Sequence, residues 1–446
     1  MFVSQSNQRR HPVNVLLMMA GTGPLLLAST PTRGLGTVSF GSPQSAQSQI
    51  TTPIGVGIGD LNLDGGVDAA GLYAGVVVFH NEQGVLVPDD SAPLPYFAPF
   101  EPTVRIADAS GDGLPDIIVS ATGAQNLTLF LQERSGGFIE ADTGIVTATY
   151  VPRFALGRFN DDDLPDVVMS NLFAVYLNLG SGQFIAVGEP AFVPFQSQVF
   201  AANLDGDALD DVLTIAGSPA SARVFRNLGG GVLELAGEYD LPPSVSSAEL
   251  AVMVDLNHDG LSDLAAVTHE AMNNFVMIRL GQPDATLAEA ATFTVPGIPI
   301  AIAAGDLNGD GHVDLAVGLG STTSVALLLG DGDGDFEFAG QTAPAVSASG
   351  PLTIIDLAIA DITGDALRDI VVVVVGYGLV VIPNTTSNAA NLDGDDDVDV
   401  NDYAIWSACL GGPGAAIPIG CTSSDLEADG DVDLKDAGLF QNLFAP

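Results

Sequence analysis

Short apolar runs of three to eight residues recur along most of the chain, each cut off by glycine, asparagine or aspartate. Ile300-Ala301-Ile302-Ala303, Leu315-Ala316-Val317 and Val325–Leu329 are typical, and a Gly-rich turn then leads to Phe336-Glu337-Phe338. Runs this short, rich in Val, Ile and Phe and bounded by turn formers, predict strands. The same stretch shows no sustained helical spacing of apolar residues.

A nine-residue acidic loop separates the first and second strand of each group. It reads DLNLDGGVD from Asp60, DASGDGLPD from Asp108, RFNDDDLPD from Arg158 and NLDGDALDD from Asn203. It continues as DLNHDGLSD from Asp255, DLNGDGHVD from Asp306 and DITGDALRD from Asp361, at intervals of 45 to 55 residues. Four short strands per repeat of ~50 residues is the pattern of a propeller blade. The expected fold is therefore all-β, a seven-bladed β-propeller of four-stranded blades over residues 36–385. After the seventh loop only Ile370–Val375 and Leu379–Ile382 follow before the sequence turns polar at Asn384. Gly36–Ser42 matches the outer-strand pattern and is expected to close the last blade, which removes exposed sheet edges.

Positions 1, 3, 5 and 9 of the loops carry oxygens, and position 7 offers a backbone carbonyl. Hard Ca²⁺ takes six to eight such oxygens, and alternate side chains of a tight loop can converge on one ion. Asp60, Asn62, Asp64 and Asp68, Asp255, Asn257, Asp259 and Asp263, and Asp306, Asn308, Asp310 and Asp314 form complete sets. Asp108, Ser110, Asp112 and Asp116 form a weaker one, because a serine stands at position 3. Asn203, Asp205, Asp207 and Asp211, and Asp361, Thr363, Asp365 and Asp369, lack the position 6 glycine that Gly65, Gly113, Gly260 and Gly311 supply. The third loop has Arg158 at position 1 and is expected to be metal-free, the arginine pairing with Asp162 or Asp166. Thiols and imidazoles are not systematically present, which disfavours softer metals. Asp-Gly loops also make ordinary turns; seven in register favour calcium.

The repeat resembles the FG-GAP/VCBS family, the calcium-loop blades of integrin α-subunit propellers and many secreted bacterial proteins. The resemblance implies that the loops join strands one and two on the lower face, and that the opposite face binds the ligand. Candidates there are Tyr96, Phe97 and Phe100 in one inter-blade loop, Phe192 and Phe195 in another, and His269. The aromatic rings either meet a ligand or fill gaps between blades.

The pattern changes at Asn388. NLDGDDDVDVND and DLEADGDVDLKD are twelve-residue loops with EF-hand-like spacing, each followed by a helical stretch, Tyr403–Leu410 and Ala437–Leu443. Their candidate ligands are Asn391, Asp393, Asp395, Asp399 and Asp402, then Asp425, Glu427, Asp429, Asp433 and Asp436. The pair resembles a dockerin module over residues 388–446, which implies a cohesin-like partner. Val398, Ile405, Trp406, Val432, Leu439 and Phe440 are its expected core. Two cysteines, Cys409 and Cys421, are too few for a zinc site and read as a disulfide, the other reading being two reduced thiols.

Charge sharpens the picture. With 12 Lys+Arg against 55 Asp+Glu the net charge is −43, which argues against nucleic acid and anionic membranes. Of those 55 acids, 35 fall in the nine loops, so the acidity has a local purpose. Arg9 and Arg10 ahead of apolar Val15–Ala20 and Leu25–Ala28 predict a signal peptide over residues 1–30, and hence secretion or cell-surface display. No later run reaches the ~18 apolar residues of a membrane span. Phosphate loops, nucleophile elbows and HExxH motifs do not occur. The expected function is calcium-stabilised recognition or adhesion toward an extracellular protein or polysaccharide, tethered by the dockerin-like module. The alternative is a secreted polysaccharide lyase or hydrolase on a propeller scaffold.

Overall fold

The structure, a computed structural model, describes residues 38–48, most of 55–386, 400–411 and single positions at 415, 417, 421, 424 and 432. Within 55–386 it omits 73–74, 91–93, 95–102, 121–125, 147–152, 171–173, 188–195, 217–219, 242–250, 271–272, 321 and 345–352. Contacts divide the chain into 1–34 and 35–446, and all that follows concerns the second unit.

Seven four-stranded antiparallel sheets follow one another as simple meanders. The first runs Gly55–Gly59, Asp68–Leu72, Val76–Asn81 and Leu86–Pro88. Several middle strands are buried along their whole length because a neighbouring sheet covers each face: Asp314–Leu319 and Ser324–Gly330 are buried at every position. Outer strands such as Leu233–Asp240 have no buried position, half of their residues being exposed. The first strands of five blades, among them Thr103–Ala107 and Pro299–Gly305, line a common central channel.

Side chains from adjacent sheets fill seven apolar clusters, one for each interface of the ring. The cluster joining Ala69, Val77 and Phe79 of blade one to Val371, Val373 and Val381 of blade seven shows that the ring is closed.

Closure differs in register from the expectation. The strand that completes the seventh sheet is Gln44–Ala46, paired with Leu379–Val381, downstream of Gly36–Ser42. Within the expected segment, Phe40 bridges Asn384, and Gly41 donates its N–H to the Pro383 carbonyl at 2.8 Å. The whole of 38–46 thus runs beside 379–386, and Pro43, which has no N–H to give, interrupts the ladder between its two halves.

Blade five carries one addition, a two-stranded hairpin of Gly281–Gln282 and Thr286–Leu287 between its third and fourth strands. Beyond the propeller, a helix spans Val400–Cys409, three residues earlier at its start than predicted, and a disulfide joins Cys409 to Cys421. Trp406 and Val432 are buried there, whereas Ile405, expected in the core, is 36% exposed. The other residues of the two twelve-residue loops lie outside the described residues, apart from helical Val400, Asn401 and Asp402, as do 1–37 and the five candidate aromatics. Among the described residues no helix is long and apolar enough to cross a membrane.

Candidate metal centres

Each acidic loop is built from its last residue. The seven position 9 aspartates, Asp68, Asp116, Asp166, Asp211, Asp263, Asp314 and Asp369, are all 0% exposed. One carboxylate oxygen accepts the N–H of loop position 2 at 2.7–3.2 Å. The other accepts an N–H at or just past the end of the third strand at 2.6–2.9 Å. The aspartate therefore clasps the loop to its own sheet. Position 2, always apolar, is buried beside it: Leu61, Ala109, Phe159, Leu204, Leu256, Leu307 and Ile362.

Burial outweighs these hydrogen bonds in setting the proton affinity of the clasp. All seven carboxyls are raised, Asp211 and Asp263 to about 6 and Asp314 to about 8, with desolvation the largest cause.

The exposed half of the loop is an Asx turn. Position 5 accepts the N–H of position 7 at 2.7–3.0 Å in all seven. In five loops the position 1 aspartate also accepts the N–H of position 6 at 2.7–3.0 Å. These five, starting at Asp60, Asp108, Asp255, Asp306 and Asp361, share left-handed backbone at positions 4 and 6. Ala366 adopts φ 66° without a glycine, so the loop at 361 keeps the shape that its sequence put in doubt. Leu63 and His258 do the same at position 4. An alanine held left-handed costs roughly 1–2 kcal/mol, which the position 1 and position 9 contacts must offset.

Two loops depart. Neither Asp163 nor Ala208 is left-handed, and neither position 1 residue, Arg158 or Asn203, is an aspartate. Arg158 does not turn to Asp162 or Asp166 as expected. Its backbone N–H donates to Asp210 of the next blade at 2.8 Å, and its charge acts on that carboxyl. In the fourth loop, Arg226 donates to Asp205 at 2.6 Å, so a guanidinium stands against an expected ligand.

The donor set of the five alike loops is made of hard oxygens, which fits calcium. Each position 1 carboxylate accepts only one or two backbone bonds per oxygen and keeps lone-pair capacity. Asn62, Asn257 and Asn308 at position 3 donate to the position 5 carboxylate at 2.8–3.0 Å, so side chains 3 and 5 already meet. Among the described residues no three His, Cys, Asp or Glu side chains form a metal cluster by themselves; asparagine, hydroxyl and carbonyl oxygens must complete any site.

A second recurrent element escaped the sequence reading. The third strand ends in an amide, and its NH₂ group reaches the position 2 carbonyl of the preceding blade. Asn81 bonds Ile362 at 2.8 Å, Asn178 bonds Ala109 at 2.9 Å, Asn227 bonds Phe159 at 3.1 Å and Asn384 bonds Leu307 at 2.7 Å. Gln132 makes the same bond to Leu61. Blades five and six have glycine instead, since a Cβ on Gly281 would lie 2.6 Å from the Ser262 carbonyl oxygen and one on Gly330 2.3 Å from that of Val313. There the loops meet directly: His258 Nε2 hydrogen-bonds the Gly311 carbonyl at 3.0 Å and its ring meets His312 edge-on. Asn178→Ala strands one buried carbonyl, that of Ala109, and one half-buried, that of Pro165. It is expected to cost about 1–3 kcal/mol in denaturant melts, against under ~0.5 kcal/mol for a surface change with no such partners.

His269 lies in the strand Asp263–Glu270, with its backbone opposite Asn274.

Residues 203–266, 255–317 and 306–372 each match the model of the FG-GAP-like repeat. No curated protein is significantly similar in sequence. Among solved structures, BBS1N in complex with ARL6DN is 12% identical, covering 79% of this chain and 99% of that one, with a TM-score of 0.53. A lectin of Agrocybe aegerita, described as recognising non-reducing terminal N-acetylglucosamine, is 20% identical over 66% of this chain and 80% of its own, with a TM-score of 0.49. The chain is a seven-bladed β-propeller carrying FG-GAP-like repeats.

Proposed function

We propose that this is a secreted or cell-surface recognition protein whose propeller is stabilised by several calcium ions and binds an extracellular protein or polysaccharide. The observation that carries the reading is the common frame of five loops, in which the clasp and the position 1 contact hold the remaining oxygens on the surface. Calcium would be held there by positions 1, 3, 5 and 9 with the position 7 carbonyl, and would neutralise clustered acids that otherwise repel.

Of the other two loops, the fourth carries a built-in cation, Arg226 against Asp205, in place of an ion, and the third has Arg158 where the position 1 carboxylate would stand. Arg226→Ala is accordingly expected to raise the bound calcium by one ion per chain, because it frees the Asp205 carboxylate that the guanidinium now holds. An unchanged count would show that the guanidinium does not occupy a cation position.

The Cys409–Cys421 bridge supports an oxidising compartment, as does the N-terminal signal pattern. The helix after the first twelve-residue loop is compatible with a dockerin-like module and a cohesin-like partner. The test is retention of the purified chain on immobilised polysaccharides and on extracellular proteins, with millimolar calcium or with chelator. Calcium-dependent retention supports recognition; no retention on either class of matrix overturns it.

A further inference from the structure

A cleft of about 470 Å³ opens between blades one and two, away from the central channel. Val78, His80 and Leu94 line it from blade one, and Gln132, Arg134 and Phe138 from blade two. Asn62 and Leu114, one from each acidic loop, border it. The volume is within the ~300–1,000 Å³ typical of small-molecule sites.

Two polar atoms on residues that line this cleft are unsatisfied. His80 Nδ1 and Gln132 Oε1 are both buried and have no hydrogen-bond partner. Gln132 Nε2 donates to the Leu61 carbonyl, which fixes the amide and leaves Oε1 as a free acceptor. A buried polar atom left without its bond is costly, and two of them on cleft-lining residues of adjacent blades point to an occupant that bonds both. The side chains around them are of mixed character. Arg134 donates, Glu133 and Asp89 accept, and Phe138, Leu94 and Val78 give an apolar wall.

We propose that this cleft is a binding site for a neutral saccharide; the inference rests on the recognition reading above and gives it a site and a ligand class. A hydroxyl donates and accepts at once, so a ring carrying several of them can satisfy Gln132 Oε1, the imidazole and the flanking charges together. The apolar face of a pyranose packs on the Phe138 wall. An isolated carboxylate or ammonium would meet a like charge from either Glu133 and Asp89 or Arg134. The site lies between blades beside the acidic loops, not on the opposite face.

The test uses the full chain in millimolar calcium, titrated with cellobiose, maltose and chitobiose while the His80 imidazole resonances are followed, assigned by loss in His80→Gln. One of the sugars is expected to shift those signals saturably, and Arg134→Ala and Phe138→Ala each to weaken it about tenfold. Arg134 is exposed, so that variant reports on binding even if Phe138→Ala folds poorly. A sugar that binds with His80 unmoved and Arg134→Ala unimpaired overturns the cleft but leaves the recognition reading standing. If none of the three moves the His80 signals, the assignment is overturned, and the recognition reading is decided separately by the retention experiment.

Discussion

Asp263→Ala should destabilise the calcium-free protein by about 2–6 kcal/mol, because two buried backbone N–H groups lose their acceptor at ~1–3 kcal/mol each. Those groups belong to Leu256 and Gly281, at 2.7 and 2.6 Å from the carboxylate. Asp259→Ala removes an aspartate from position 5 of the same loop, where it is exposed. In chelator that change should cost about 1 kcal/mol, since it removes only the exposed turn bond from the Leu261 N–H and the Asn257 contact. In millimolar calcium the order narrows, since both variants lose the ion. Denaturant midpoints of the two variants with and without calcium check this. Equal losses in chelator would mean that position 9 is a ligand only and not the clasp.

The second large effect is a pH dependence that calcium cancels or reverses. An acid whose pKa is higher folded than unfolded holds a proton in the native state over the interval between the two values. Its contribution to stability is complete below the unfolded value, ~4, and is lost as pH rises through the folded one. Asp211 and Asp263, at about 6, and Asp314, at about 8, set that interval here. A tenfold difference in proton affinity between the two states is worth about 1.4 kcal/mol, so the three groups together make a trend measurable in a melt. In chelator the melting temperature should fall as pH rises from ~5 to ~8. In calcium it should hold or rise over the same range, because the ion binds the deprotonated loop. A chelated protein whose stability climbs from pH ~5 to ~8 would contradict the burial account of the clasp.

The blade pattern was legible because strand length, turn residues and the acidic loop repeat together, and those signals are local. The clasp was half legible. Asp at position 9 stands in every loop, yet sequence alone reads it as a metal ligand, since one of its two backbone partners comes from the end of the third strand. The amide latch left a trace in the recurring Asn-Leu-Gly at Asn178–Gly180 and Asn227–Gly229, but its acceptor lies on another blade and only topology brings it there. Arg226 illustrates the limit most clearly: it sits fifteen residues past Asp211, in a strand register that places it against Asp205. Ala366 shows the opposite error, a missing glycine that the loop tolerates. Closure at Gln44–Ala46 rather than Gly36–Ser42 follows from pairing with one particular edge, which no periodicity specifies.

The most direct test of the central claim is the number of calcium ions bound per purified chain, measured with a thermal melt before and after chelation. The account predicts about seven ions, five from the alike propeller loops and two from the C-terminal loops, held at ~10⁻⁴–10⁻³ M as in other extracellular modules. Chelation should then lower the melting temperature substantially. Two ions or fewer, with a melt that chelation leaves unchanged, would mean that the seven acidic loops are hydrogen-bonded turns alone.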